Sequence, residues 1–350
     1  MSFGGRMMNR LAMGCLLLFL SGGLLWVYAD DVTKPYHILQ TVKLPDEGGW
    51  DYLKVDADAR RLYITHETEV LVLDADTDKI IGKVEGIQGA HGVALARKLG
   101  KGFVTSGKSG TVVVFDLKTL KKISEITAQK DADAIVYDTA TTQVFTFNGD
   151  SENSTVIDAV TDQVVKTLDL GGKPEFAAVD GKGHLFNNLE DKSLVLDIDT
   201  QKLEIEHRWP IAPGEAPSGM AMDAGNNRLF IGCRNKLAVI MDAKSGKVIQ
   251  TLPIGDHIDA TYFDPSSGTV FNSCGDGTLS VVQQNSADNY QVVENAKTEP
   301  GARTMAFDSK TGHVFLVTAE MGPAPTPTQD NPKPRRKMIP GTFRLLVLGQ

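Results

Sequence analysis

Residues Thr111–Lys121, TVVVFDLKTLK, decide the fold. Thr111 to Phe115 are all β-branched or aromatic, a run of strand length that is too short for a helix. Asp116 ends the run, with Thr119 and Lys121 three and five positions beyond it. Aspartate and threonine side chains in this spacing take hydrogen bonds from backbone N–H groups two or three residues on, which pins a hairpin. The stretch therefore reads as a strand, a tight turn and the start of a second strand.

The same phrase returns along the chain. Asp74…Thr77…Lys79, Asp197…Thr200…Lys202 (after the run Leu194-Val195-Leu196) and Asp242…Ser245…Lys247 repeat it, and Asp158…Thr161…Gln163 is a variant. Ahead of it stands an apolar strand such as Leu62-Tyr63-Ile64, Val144-Phe145-Thr146 or Val314-Phe315-Leu316. Ahead of that, a small or apolar stretch ends in aspartate, as in Val55-Asp56, Tyr137-Asp138 and Phe263-Asp264. With Asp56, Ala96, Asp138, Asp180, Asp223, Asp264 and Asp308 as anchors, successive repeats lie 40 to 44 residues apart. That period, built from short strands, defines four-stranded propeller blades that share one core. The expectation is an all-β, seven-bladed β-propeller with four antiparallel strands per blade.

The last repeat stops after Phe343-Arg344-Leu345-Leu346-Val347-Leu348, without room for a fourth strand. The missing strand stands at the other end, where Ile38–Leu44 matches Val248–Ile254 of blade five and Val164–Leu170 of blade three. Residues 36–45 should pair with residues 343–348, so that the N-terminal strand closes the last blade and removes the open sheet edges. Residues 30–350 then form a single propeller domain, carrying a Pro-rich insertion at about 320–342.

The period, the Asp-x-x-Thr-x-Lys hairpins and the [Leu/Val]-[Tyr/Phe]-[Ile/Val] strands resemble the YVTN-type propeller repeats of the YncE-like family over nearly the whole chain after the N-terminus. The resemblance implies a seven-bladed, exported protein. It says little about chemistry: some members are implicated in DNA binding, and relatives by fold include lactonases and redox enzymes.

The N-terminus supports export. Arg6 and Arg10 precede an apolar stretch from Leu11 to Tyr28, and Val27-Tyr28-Ala29 offers small residues at the cleavage positions, so residues 1–29 read as a signal peptide. A periplasmic or secreted chain is expected, with no integral membrane domain after cleavage; the rival is retention of the apolar stretch as an anchor. Cleavage removes two cations and moves the formal charge from −8 to −10. A polyanion is then repelled overall, since non-specific nucleic-acid affinity comes from Lys and Arg on phosphates; Lys333, Arg335, Arg336 and Lys337 form the one dense basic run. Cys233 and Cys274 occupy equivalent positions in blades five and six. Equivalent positions on neighbouring blades tend to exceed the reach of a disulfide, so two separate thiols are expected.

Chemistry concentrates at one register. Five residues before each anchor stand Asp51, His91, Asp133, Glu175, Ser218, Asp259 and Arg303, which the fold would gather at one mouth of the central channel. Three readings follow: a solvated channel mouth; a divalent cation (Ca²⁺, Mg²⁺, Mn²⁺ or Zn²⁺) held by some of Asp51, His91, Asp133, Glu175 and Asp259; or an acid–base site in which His91 or Glu175 moves a proton and Arg303 holds an anionic group. Clustered carboxylates raise one another's pKa. The insertion Glu320–Thr342 should emerge at this same mouth as a semi-rigid lid. His66 and Asn148 would point there more peripherally, His66 as a surface or turn residue, while His184, His207 and His313 show no pattern. A phosphate loop, a nucleophile elbow, a haem-attachment motif and a His-Glu-x-x-His motif are all absent from the sequence. The expected function is a monomeric binding or scaffold propeller taking a small molecule, protein or peptide at the channel face. A channel-mouth hydrolase or lactonase is the alternative, and a DNA-binding propeller the second.

Overall fold

The aspartate turns form as their chemistry requires. In the computed structural model, which describes residues 34–45, 48–326, 328 and 336–350, Asp74 Oδ1 accepts the backbone N–H groups of Asp76 and Thr77 at 3.1 and 2.9 Å and the Thr77 hydroxyl at 2.9 Å. Asp116, Asp158 and Asp242 repeat the arrangement in blades two, three and five. Blade four corrects the expectation. There the turn is capped by Asp199, which accepts the N–H groups of Gln201 and Lys202, while Thr200 instead donates to Asp138 Oδ2 at 2.7 Å. Asp197 lies two residues inside the strand Leu194–Asp199 and faces other partners.

Seven antiparallel four-stranded sheets result. Blade one is Trp50–Asp56, Arg61–His66, Glu69–Asp74 and Ile80–Glu85, counted from the channel outward. Blade seven is Met305–Asp308, His313–Thr318 and Arg344–Gly349, completed by the N-terminal strand His37–Lys43, with Thr41 opposite Leu346. The second strands read iBBBBB in burial almost without exception, because both faces of each sheet pack against neighbouring blades. The core is thus a set of apolar seams: Leu62, Ile64 and Leu71 of blade one meet Phe315, Phe343 and Leu345 of blade seven.

The anchor aspartates fasten these seams at the end of the inner strands. Asp308 accepts the Thr311 hydroxyl within its own turn and a bidentate pair from Arg60 of blade one, at 2.8 and 2.6 Å. Asp223 likewise caps Gly225 and Asn226 and accepts Gln284 of blade six. The recurring aspartate is structural: it caps its own turn, and at Asp56, Asp138, Asp223 and Asp308 it also joins that turn to another blade.

His66 is not a surface or turn residue. It is 2% exposed and stacks on Phe343 with ring centroids 4.9 Å apart and planes 8° apart, inside the seam between blades one and seven. Residues 1–29, read from sequence as a signal peptide, lie outside the described residues, and no helix among the described residues is long and apolar enough to cross a membrane.

Cys233 and Cys274 are both buried and unbridged. Burial pushes each thiol up to about 12, so neither is a nucleophile at neutral pH. Titration of the folded protein with a thiol reagent is expected to leave both unmodified over a period in which denatured protein reacts fully. Rapid modification of the native protein would contradict their burial.

Candidate functional site

Six of the seven inner strands enter the channel through an irregularity; that of blade seven pairs without a shift. Register shifts occur between Trp50 and Leu53, Ala90 and Val93, Ala132 and Ile135, Pro174 and Ala177, Pro217 and Met220, and Ile258 and Ala260. A β-bulge leaves a residue unpaired and re-aims its side chain. Six of the seven ring residues, Asp51, His91, Asp133, Glu175, Ser218 and Asp259, fall within these shifts, and Arg303 lies just before the inner strand of blade seven.

Bulging frees backbone carbonyls, and buried ones must find donors. Second-strand side chains supply them. Thr65 donates to the Tyr52 carbonyl at 3.0 Å, Asn188 to Ser218 and Gly219 at 2.9 and 3.2 Å, and Asn187 to Glu175 and Phe176 at 2.9 and 3.2 Å. Thr105 and Ser273 donate to the carbonyls of Asp133 and Arg303. These residues hold the ring in place from beneath, and the sequence analysis did not single them out. Their signal is a polar residue at a buried strand position, which a repeat alignment shows only once blade boundaries are known.

The structure gathers the ring as two contact groups, Asp51–His91–Asp133 and Ser218–Asp259–Arg303, with Glu175 paired to Lys173 beside them. His91 Nδ1 lies 2.5 Å from Asp51 Oδ2 and 3.4 Å from Asp133 Oδ1. Gly107 makes room for the imidazole, because a Cβ there would stand 2.7 Å from His91 Nε2. Ser218 is fully buried and donates to Asp259 Oδ1 at 3.0 Å, and Arg303 Nε meets Asp259 Oδ2 at 2.9 Å. Glu175 lies under Lys173, 3.3 Å away; Lys173 also contacts Glu190 at 3.1 Å, and Arg234 contacts Glu190 at 2.9 Å. Asp51, Glu67 and Asp131, ion-paired rim lysines such as Lys108, and the described insertion residues Met321 and Arg336 surround a basin of about 1250 Å³. Tyr52, tilted against Phe176 with ring centroids 4.5 Å apart, lines both this basin and a cavity of about 420 Å³ beneath it.

Electrostatics follow from the crowding. Burial, then the charge of Asp51, holds the Asp133 carboxyl far above the usual carboxylate range. Burial, then Asp133 and a hydrogen bond with Glu190, does the same to Glu175. Burial raises Asp259 as well, against the pull of Arg303. For His91, burial alone would lower the imidazole, but its bond to Asp51 and the charges of Asp133 and Asp51 outweigh that and hold it up at about 9. Asp133 Oδ1 is buried without a hydrogen bond. The donor atoms of Asp51, His91 and Asp133 lie within 4.8 Å of one another, close enough to share one cation.

The roots of the insertion close on each other at this face. Met321 bridges Met338, Gly322 N–H donates to the Lys337 carbonyl at 2.8 Å, and Arg336 Nε donates to the Gly322 carbonyl at 2.8 Å. Lys333 and Arg335 of the basic run lie outside the described residues. Asn148 is buried in bonds to Thr146, Asn153 and Thr155. His313 packs edge-on against Phe315.

By sequence the chain matches no family profile and no curated protein. By structure it is similar to the WD40 repeats of RRP9, with a TM-score of 0.72 at 8% identity over 90% of this chain and 97% of that one. U3-55K gives a TM-score of 0.72 at 8% identity over 89% and 98%. A chain of the mitotic checkpoint complex gives a TM-score of 0.73 at 13% identity over 97% and 99%. At such identities the likeness establishes the seven-bladed propeller scaffold and nothing finer.

Proposed function

We propose that the protein is an exported binding propeller whose channel-mouth basin takes a ligand presenting positive charge, seated against Asp51, His91 and Asp133. One observation carries this: the carboxylates of Asp51, Asp133, Glu175 and Asp259 converge in a single basin, where burial and one another's charge push Asp133 and Glu175 up and Asp133 Oδ1 is buried without a hydrogen bond. Such a site is short of positive charge, and a cation or a protonated amine on a small molecule, peptide or protein relieves it. The export reading rests on the sequence of residues 1–29 and on the resemblance to YVTN-type propellers.

The hydrolase or lactonase reading needs Arg303 to hold a substrate anion, yet Asp259 already engages its guanidinium. DNA binding needs a cluster of free cations, whereas of the described cations lining the basin Lys108, Lys173, Arg234 and Arg303 are ion-paired and two, Lys130 and Arg336, are left without a carboxylate partner. Both are weaker than the binding reading.

Divalent cations are the simplest probe. Thermal scans with EDTA, Ca²⁺, Mn²⁺ and Zn²⁺ are expected to show a cation-dependent rise in melting temperature, about 2.7 kcal/mol of stabilisation at a hundredfold excess over Kd. The double variant Asp133→Asn, Glu175→Gln should lose the response to Ca²⁺, an ion that takes oxygen donors. No response of the wild-type protein to any cation or to a cationic peptide would overturn the proposal, and lactone turnover abolished by Glu175→Gln would replace it with the enzymatic one.

A further inference from the structure

Blade four also departs from the other six within its outer strands, close to the Asp199 turn. In every blade the outer strand bulges against the third strand, and the third-strand residue just before the shift is aliphatic and buried in six of them: Val72, Val114, Val156, Ile240, Val281 and Val347. Blade four has Asp197 there, 4% exposed. The extra residue in the outer-strand bulge is also aliphatic elsewhere, as in Ile81, Ile123, Val165 and Val293, all about half exposed. Blade four has Glu206. Two carboxylates thus replace two aliphatic residues in one repeat out of seven.

Two histidines accompany them. His207 stands directly opposite Asp197 in the outer strand, and His184 lies diagonally across it, because Phe186 is its opposite residue in the second strand. His184 Nδ1 is 2.9 Å from Asp197 Oδ1, and His207 Nδ1 is 3.1 Å from Asp197 Oδ2. Both rings are oriented by stacking, His184 on Phe186 and His207 on Trp209. Donor atoms of His184, Asp197 and Glu206 lie within 4.8 Å of one another. Lys202 Nζ meets Glu206 Oε1 at 2.9 Å from a largely exposed position.

We propose that His184 Nδ1, Asp197 Oδ1 and Glu206 form a site for a divalent transition metal, Zn²⁺ first among them, independent of the channel-mouth basin. Zn²⁺ takes imidazole and carboxylate donors at about 2.0–2.2 Å, commonly three from the protein with a fourth position open. Closing the present spacing needs only rotation of His184 and Glu206, whose side chains are 40% and 30% exposed. Binding releases to solvent the proton shared between His184 Nδ1 and Asp197 Oδ1, and Lys202 yields one Glu206 oxygen. His207 stays on Asp197 Oδ2 and positions it, as carboxylate–histidine pairs do behind metal ligands.

Titration calorimetry with Zn²⁺, and Co²⁺ absorption in the visible, test this on the full chain carrying Asp133→Asn, which removes the channel-mouth cation seat. One equivalent is expected to bind. Asp197→Val, which installs the residue of the other blades and so should fold, is expected to abolish binding. Glu206→Gln should weaken it tenfold or more, and His207→Phe by 10- to 100-fold while keeping the stack on Trp209. Co²⁺ should quench Trp209 emission in the parent and not in Asp197→Val. Absence of Zn²⁺ binding in the parent, or equal binding in Asp197→Val and Glu206→Gln, would overturn the site and leave the cluster as hydrogen bonds that satisfy a buried aspartate.

Discussion

A chain lacking residues 35–45 is expected to aggregate or to melt without a cooperative transition. The segment supplies the whole outer strand of blade seven, His37–Lys43 against Arg344–Gly349, with the Leu44 N–H on the Phe343 carbonyl at 3.0 Å. Its ends are anchored in separate seams. Tyr36 packs edge-on against Phe271 of blade six at 5.3 Å, and Leu44 is 3% exposed among Leu53, Phe343 and Leu345. Removing it uncovers Leu345-Leu346-Val347-Leu348, an apolar edge with unpaired N–H and C=O groups that would template intermolecular pairing. The loss of an entire strand and two buried anchors rivals the total stability of a domain, about 5–15 kcal/mol. Size-exclusion chromatography and thermal denaturation check this, and a peptide of residues 34–45 added in trans should restore monomer by strand addition. An unchanged monomer fraction and melting temperature would contradict closure by the N-terminal strand.

The fold was legible because its chemistry is local and repeated. Thr111–Phe115 and the Asp116 turn specify a strand and a hairpin within eleven residues, the hairpin returns in five blades, and seven repeats at one period leave few other architectures. Counting back five residues from each anchor also brought out the ring, since all seven side chains share one register. What stayed hidden depends on contacts between strands or blades. Blade four carries aspartates at 197 and 199, and only the register of strand Leu194–Asp199 shows which one caps the turn. His66 is buried by Phe343, about 280 positions away in sequence, so no local feature of Glu67 and its neighbours announces it. His184, Asp197 and His207 sit on three different strands, and a bulge adds Glu206, so they show no linear spacing. The bulges that aim the ring inward are likewise invisible, because a bulge is a relation between two strands.

The ring should make the protein lose stability as pH rises, and the sign follows from each group. The folded-state imidazole of His91 is held at about 9, above its unfolded value of about 6.5, so its contribution is complete below 6.5 and lost as pH climbs through 9. Asp133, Glu175 and Asp259 are raised as well, chiefly by burial. Between about pH 4 and their raised values the folded protein keeps protons that the unfolded chain releases, so stability falls with pH there too. Asp199 acts oppositely: with Lys202 beside it the carboxyl is lowered to about 2, and its contribution is lost only in strong acid, outside this window. The metal-free protein, scanned in EDTA, is therefore expected to be most stable in mildly acidic buffer and to weaken steadily toward pH 9. Asp133→Asn with Glu175→Gln should flatten the alkaline limb, stabilising the protein at pH 9 by about 2–4 kcal/mol while changing it little at pH 5, since one unit of raised pKa is worth about 1.4 kcal/mol. Denaturant unfolding at a series of pH values reads the effect directly. Parallel profiles for the two proteins would mean that the ring carboxylates ionise freely, and would remove the charge deficit on which cation binding at Asp51, His91 and Asp133 depends.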